Sequence, residues 1–250
     1  LDPWRSGALL LVDRRLDVYA FDPSRALLSP RPPLPGPPLT GPSAPTLWRL
    51  EGPRLVAWHP SGLTLSLDAD GRWTRFFHVP FVAFAADGAR ACAGLAESIE
   101  GHPRLHLSDD GGSTWEAHDV PPGLSAAPAG PTSPWLLGRY AGLVLLGRPG
   151  RGLWASPERG VWRALPGGEN AFALAPPGAD PFALFTTGGR GAQGVQIARV
   201  DGAGDTDGGP RVGLPEVFAG PDVRLAWDAA SARLWLARGA ALMALTPPPS

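Results

Sequence analysis

The 250-residue sequence contains no lysine, one cysteine, one methionine and two tyrosines. All 22 basic residues are therefore arginines, which excludes Schiff-base chemistry on a lysine and the phosphate-binding lysine of a P-loop. Cys92 has no second cysteine in the sequence, so an internal disulfide and a multi-cysteine metal site are excluded as well. Because alanine, glycine, proline and arginine are abundant, we interpret the missing lysine as the composition of a GC-rich bacterial genome.

The sequence also lacks an excess of charge of one sign and lacks long apolar runs. The 22 basic residues face 23 acidic ones, so electrostatics gives no reason to expect nucleic acid as a partner. No apolar run reaches the roughly 18 residues of a membrane span, which predicts no transmembrane segment in this sequence. The first residue is Leu1, and either a removed targeting segment or an arbitrary boundary accounts for it. We expect a periplasmic or secreted bacterial protein.

Turn-forming residues and short apolar runs dominate the rest of the sequence. Glycine (33) and proline (31) are frequent, yet 44% of the residues are hydrophobic and ten are tryptophans, which argues against a disordered chain. Apolar runs of four to six residues separated by turn residues predict many short strands and little helix. Residues 29–45 are proline-rich and predict an extended surface loop rather than a strand.

One polar turn, Ser108-Asp-Asp-Gly-Gly-Ser-Thr-Trp115, organises the pattern. Aspartate stands two residues after Ser108, glycine four and tryptophan seven, an order typical of a tight hairpin that leads into a buried strand. Degraded copies of this turn keep only some of these residues, namely Asp68, Trp73, Trp162, Asp207 and Gly209.

The closing residues of these turns, at positions 73, 115, 162 and 212, are 42, 47 and 50 residues apart. This period is typical of four-stranded propeller blades. The sequence therefore predicts one all-β domain over residues 1–250, a β-propeller of about six four-stranded blades. The number of blades is five if the terminal strands merge into one sheet. We expect strands from both termini to close the ring, because an open ring leaves strand edges unpaired.

The residues Ser108, Asp110, Gly112, Thr114 and Trp115 resemble the Asp-box, or BNR repeat. This repeat occurs in propellers of sialidases, sortilin-type receptors, certain glycoside hydrolases and photosystem assembly factors. The resemblance implies that the box lies in the turn between the third and fourth strands of a blade. It also implies that the polar side chains stabilise the hairpin, that the aromatic ring packs inward, and that the motif lies away from any active centre.

Catalytic signatures of these relatives are weak in the sequence. A sialidase-like site needs a tyrosine nucleophile near a glutamate, but neither Tyr19 nor Tyr140 has acidic neighbours of that kind. A glycosidase needs two carboxyl groups facing one cleft. The carboxyl groups available for it are those of Asp87, Glu97, Glu100 and Asp119, most of which are typical of solvated turns. The sequence offers no catalytic residue, metal site or cofactor motif.

These observations favour a non-catalytic binding or scaffold module. We expect it to be an accessory subunit or assembly factor of a larger extracytoplasmic complex, a class that includes membrane-bound complexes. We expect protein partners. The candidate docking residues are Pro32, Pro33, Pro35 and Trp48, in or beside the proline-rich loop. The alternatives are a glycan-binding or sialidase-like glycoside-hydrolase propeller and a factor similar to those of photosystem assembly.

Overall fold

A computed structural model describes most of the chain, and the statements below concern its described residues. These are residues 9–13, 15–22, 25, 27–35, 46–49, 55–59, 63–67, 72–87, 90–97, 102–125, 135–140, 142–158, 160–175, 182–187, 194–200, 212–219, 223–228 and 231–246.

The described strands form six sheets, and within each sheet every strand pairs antiparallel with its neighbour along the chain. The first sheet contains β1 (Leu9–Val12), β2 (Val18–Asp22) and β3 (Leu27–Arg31). The second contains β4 (Thr46–Arg49), β5 (Leu55–His59), β6 (Leu63–Leu67) and β7 (Trp73–Arg75). The third contains β8 (Ala83–Ala86), β9 (Cys92–Glu97), β10 (Pro103–Ser108) and β11 (Glu116–Asp119).

The last three sheets repeat this arrangement. The fourth contains β12 (Leu136–Tyr140), β13 (Leu143–Arg148), β14 (Gly152–Glu158) and β15 (Val161–Ala164). The fifth contains β16 (Ala171–Leu174), β17 (Phe182–Thr187), β18 (Gly194–Arg199) and β19 (Val212–Leu214). The sixth contains β20 (Arg224–Asp228), β21 (Arg233–Arg238) and β22 (Ala241–Leu245).

Helical structure in the described residues is limited to single turns. They are α1 (Pro122–Ser125) and two 3-10 turns at Gly168–Asn170 and Glu216–Phe218. No helix within these ranges is long and apolar enough to cross a membrane. The all-β class predicted from the short apolar runs is confirmed, and each sheet is an up-and-down meander of the kind that makes a propeller blade.

The contacts divide the chain into two compact units, residues 1–82 and 83–250. The first unit holds the first two sheets and the second unit holds the other four. The expected single domain over residues 1–250 stays a prediction, as does closure of the ring by strands from both termini.

Burial explains why the strands could be read from the sequence. All six residues of β13 are buried, as are the first five of β9, because these inner strands are covered on both faces and their sequences are continuous apolar runs. The fourth strands β11 and β15 are largely exposed and carry charged residues. Polar side chains on an edge strand discourage pairing with other chains.

One prediction for the proline-rich region is corrected, and one strand beside this region was missed. Residues 29–31 are not loop, since they complete β3, in which Pro30 is opposite Tyr19. Proline is tolerated there because β3 is the edge strand of its sheet, where a missing N–H need not break a ladder. Residues 32–35 follow outside any strand, and residues 36–45 lie outside the described part of the chain. The strand β4, which begins directly after the prolines, was not predicted.

Candidate functional site

The turn Ser108–Trp115 lies between β10 and β11, the third and fourth strands of the third sheet. Its centre is the Asp110 carboxylate. Oδ1 accepts the main-chain N–H groups of Ser113 and Thr114, each at 2.9 Å, and the Ser108 hydroxyl at 2.8 Å. Oδ2 accepts the Thr114 hydroxyl at 2.7 Å. One carboxylate therefore accepts four hydrogen bonds from donors of its own turn.

These donors also set the electrostatics of Asp110. The main-chain and hydroxyl hydrogen bonds from Thr114, with further bonds from Ser108 and Ser113, hold the pKa of its carboxyl well below the usual range. Hydrogen bonds to the ionised form favour it over the protonated form. Asp110 therefore stays a carboxylate and an acceptor under all ordinary conditions.

The remaining residues of the turn give it its shape. Ser108 is 2% exposed, and its Oγ accepts the N–H of Gly112 at 2.8 Å. Gly111 and Gly112 both have positive φ, 73° and 84°, a conformation that favours glycine. Trp115 is half-buried and donates its indole N–H to the Gly112 carbonyl at 3.0 Å, which folds the ring back over the turn.

Asp109, the other aspartate of this turn, makes a contact with the next sheet. Its Oδ1 lies 2.9 Å from the Arg139 guanidinium, which β12 carries, and the Arg139 side chain is only 9% exposed. Burial lowers the pKa of Arg139, whereas the nearby Asp87 favours its charged form. The Nε of Arg139 is buried without a hydrogen-bond partner. This ion pair ties the turn to the neighbouring sheet and leaves Asp110 to hold the turn itself.

The opposite end of these two sheets carries a second group of polar and aromatic residues. In the register of β10, Pro103 faces Glu97 at one end and Ser108 faces Cys92 at the other. We define the opposite-end cluster as the residues Glu97, Arg104, Asp119, Trp135 and Arg148.

Trp135 is the centre of this cluster. Its indole N–H donates to Glu97 Oε1 at 3.4 Å, across the two sheets, and the Arg148 guanidinium carbon lies 4.5 Å from the centre of its ring. A guanidinium at this distance is attracted to the negative face of the indole. Arg148 is 7% exposed, so this cation is largely buried, whereas Trp135 is half-buried. The arrangement presents part of an aromatic ring between a cation and a carboxylate.

Asp119 completes the cluster at the end of β11. Its carboxylate lies 3.2 Å from the Arg104 guanidinium, opposite it in the β10–β11 register, and both side chains are exposed. Its carbonyl accepts the indole N–H of Trp162, from β15, at 3.1 Å. Within the first unit, Trp73 likewise donates to the carbonyl of Pro32, just after β3, at 3.4 Å. In both cases a tryptophan of a fourth strand bonds to the end of the preceding sheet's last strand.

The four carboxyl groups that a glycosidase could use have different surroundings. Glu97 and Asp119 lie at the same end of the third sheet, separated by β10 and therefore by about 10 Å of sheet, and each has a different partner. Asp87 follows β8 at the other end, where its Oδ1 accepts the N–H of Ala91 at 3.2 Å. Glu100 lies outside the described residues.

Tyr140 is fully buried in the core of the second unit. Its hydroxyl donates to the Ala175 carbonyl at 2.8 Å, and burial raises its pKa above the ordinary value. The other tyrosine, Tyr19, is half-buried in β2. Among the described residues, no group of three or more histidine, cysteine, aspartate or glutamate side chains could hold a metal ion.

The other residues singled out from the sequence are distributed as follows. Trp73 begins β7 and Trp162 lies in β15, while Asp68, Asp207 and Gly209 lie outside the described residues. Pro32, Pro33 and Pro35 are exposed. Trp48 lies in β4, and its side chain is not among those described. The assignment of Ser108, Asp110, Gly112, Thr114 and Trp115 to an Asp-box stays a prediction.

Arg139 and Arg148 were missed by the sequence analysis. Each lies in an apolar strand, β12 or β13, yet is more than nine-tenths buried. Arginine is rarely buried unless it is paired. A charged residue that interrupts or ends a continuous apolar run is therefore the signal that could have identified both.

Comparison with known proteins supports the fold. No protein-family model and no curated protein matches the sequence. A solved structure of YCF48 bound to D1 peptide aligns with 97% of this chain and 75% of its own, with a TM-score of 0.54 and 14% identity. The GH74 xyloglucanase from Xanthomonas campestris aligns with 78% of this chain and 34% of its own, with a TM-score of 0.46 and 17% identity. PorZ of the Porphyromonas gingivalis type-IX secretion system aligns with 91% and 28%, with a TM-score of 0.41 and 12% identity. The chain has the fold of a β-propeller, as its sequence predicted.

Proposed function

We propose that the chain is a non-catalytic β-propeller binding module, an accessory subunit or assembly factor of a larger extracytoplasmic complex. Its opposite-end cluster and its exposed loops are the surfaces that recognise the partner. The 108–115 turn, read as an Asp-box, stabilises the sheets and takes no part in recognition.

The observation that carries this proposal is the pairing of the charged groups at both ends of the third and fourth sheets. Glu97 accepts from Trp135, Asp119 pairs with Arg104, and Asp109 pairs with Arg139. General acid–base chemistry on a glycoside needs two carboxyl groups directed at one bond. These carboxylates are directed at separate partners, an arrangement that suits recognition better than catalysis.

The nature of the ligand follows from the same groups and from one structural neighbour. A half-exposed indole beside a guanidinium and a carboxylate can contact both the apolar and the polar parts of a polypeptide. The structure of YCF48 contains a peptide, so a propeller of similar architecture binds this class of ligand. We infer that the partner of this chain is a protein, recognised through a segment of its polypeptide.

The test is a mild native purification of the chain from its host, followed by identification of the co-purifying proteins. Each candidate is then produced separately and titrated against the purified chain. We expect direct, saturable binding that Trp135→Ala weakens by about tenfold or more, the range of a buried aromatic hot spot. Trp235→Ala is the matched control, because Trp235 is also half-buried but lies in β21, away from the cluster.

The same preparation separates this function from its alternative. The purified chain is incubated with a panel of glycosides, including sialosides, and product release is measured. A monomeric chain that cleaves glycosides and binds no protein would refute the proposal in favour of a glycoside-hydrolase propeller.

A further inference from the structure

The residues that follow β3 show an unusual pattern of exposure. We define the proline segment as Pro32, Pro33, Leu34 and Pro35. Its three prolines are exposed, whereas Leu34 is only 3% exposed. A polyproline II helix has three residues per turn, which places Pro32 and Pro35 on one edge, Pro33 on a second and Leu34 on a third. The exposure pattern fits such a helix with its leucine edge against the core and its two proline edges in solvent.

The first unit holds this segment in place at several points. The Leu34 N–H donates to the Leu16 carbonyl at 2.8 Å, and its side chain packs in a buried cluster with Leu16, Val18 and Ala57. The Pro32 carbonyl accepts the indole N–H of Trp73 at 3.4 Å. The segment is therefore ordered before any partner arrives, and a ligand that is already ordered loses little conformational entropy on binding.

Two arginines border the proline segment. The half-buried Arg31 precedes it directly, and the exposed Arg15 precedes Leu16, whose carbonyl accepts the Leu34 N–H. The carboxylate of Asp13 is directed into its own turn, where it accepts the N–H groups of Arg15 at 2.8 Å and Asp17 at 3.0 Å. Asp17 is half-buried. A partner that matches this border carries carboxylates at the rim of its binding groove.

We propose that Arg31 and the proline segment dock into an aromatic-lined groove with an acidic rim on a partner protein. This inference rests on the proposed function as a binding module and names one of its surfaces. Grooves lined with aromatic side chains bind extended proline segments through prolines spaced three apart, and Pro32 and Pro35 have this spacing. Because Leu34 points into the chain's own core, the partner contacts the two proline edges and the arginine.

The test uses three isotopically labelled polyproline-reading domains as probes: an SH3, a WW and an EVH1 domain. Each is titrated with the unlabelled 250-residue chain while its amide resonances are followed. We expect saturable shifts in the aromatic groove of at least one reader with an acidic rim. Pro32→Ala combined with Pro35→Ala should raise its Kd about tenfold or more, and Arg31→Glu should weaken binding and its dependence on salt.

Pro166→Ala is the matched control, since Pro166 is exposed but lies in the second unit, after β15. Circular dichroism of each variant establishes whether it is folded. If the double proline variant is unfolded, the binding of Arg31→Glu tests the docking surface in its place. The proposal is overturned if none of the readers binds saturably, or if the double proline variant binds like Pro166→Ala. If a native partner binds the double proline variant as well as it binds the unaltered chain, only the proposal of this docking surface is overturned. If the chain has no protein partner, the proposed function is overturned.

Discussion

Substitution of Ser108 by alanine removes one oxygen from the centre of the 108–115 turn. Ser108 is 2% exposed, and its Oγ accepts the Gly112 N–H and donates to Asp110, both at 2.8 Å. Without it, the Gly112 N–H loses its acceptor in a half-buried position. An unsatisfied buried donor costs about 1–3 kcal/mol, and partial access of water to Gly112 places the expected loss near 2 kcal/mol.

The assay is urea unfolding of Ser108→Ala followed by tryptophan fluorescence, together with a thermal melt. For a chain of this length, a loss of about 2 kcal/mol corresponds to a decrease in Tm of about 4–8 °C. Ser113→Ala is the control in the same turn. Its hydroxyl donates to the Asp110 carbonyl at 3.1 Å, but Ser113 is exposed, so water replaces that bond and a change of no more than about 0.5 kcal/mol is expected.

Equal losses in Ser108→Ala and Ser113→Ala would refute this reasoning, because the buried acceptor would then contribute no more than an exposed hydroxyl. A large loss in Ser108→Ala accompanied by lost partner binding in the folded protein would refute the purely structural role of the turn.

Three further predictions concern neighbouring residues. The pKa of Asp110 is depressed in the folded protein, so its carboxylate contributes stability at a pH above the unfolded pKa of about 3.9, and this contribution is lost as the pH falls further. Asp110→Asn should therefore lower the stability at neutral pH and flatten the acid limb of the stability–pH profile. An unchanged profile would contradict this explanation. Burial raises the pKa of the Cys92 thiol to about 12, so a chromogenic thiol reagent at about pH 8 should label this cysteine only after unfolding. Rapid labelling of the native protein would contradict this, because it would show that the thiol is accessible in the folded state. Asp109→Asn should lower the free energy of unfolding by about 2 kcal/mol, because it weakens the pairing of the buried Arg139 cation. Arg139→Met should lower it by less, since this variant removes the buried charge itself. Chemical denaturation measures both losses, and the opposite order would disprove the explanation.

The two adjacent aspartates of the turn have separate roles, and the turn pattern in the sequence indicates only that of Asp110. Asp110 bonds to groups within four residues of itself, a local pattern that a turn motif encodes. Asp109 bonds to a residue 30 positions away. Its partner depends on how two neighbouring sheets are packed, and no local periodicity records that distance.

The candidate recognition surface was predictable only in part. The exposed prolines were identified from composition, because proline in a short run favours a solvated extended chain. The inward position of Leu34 was not, since it depends on the β1–β2 turn that carries Leu16. The contact of Trp135 with Glu97 was not predictable either, because it joins two sheets through residues 38 positions apart.

The sequence by itself determined the class of fold, the positions of most strands and the place of the 108–115 turn. Strand periodicity, apolar runs and turn chemistry act over a few residues, so a single sequence displays them directly. The tertiary structure decided which side chains meet across sheets: Arg139 with Asp109, Trp135 with Glu97, and the anchored Leu34 that displays its flanking prolines. Such contacts depend on the packing of one sheet on the next, which is set by the summed burial of many side chains rather than by any local pattern.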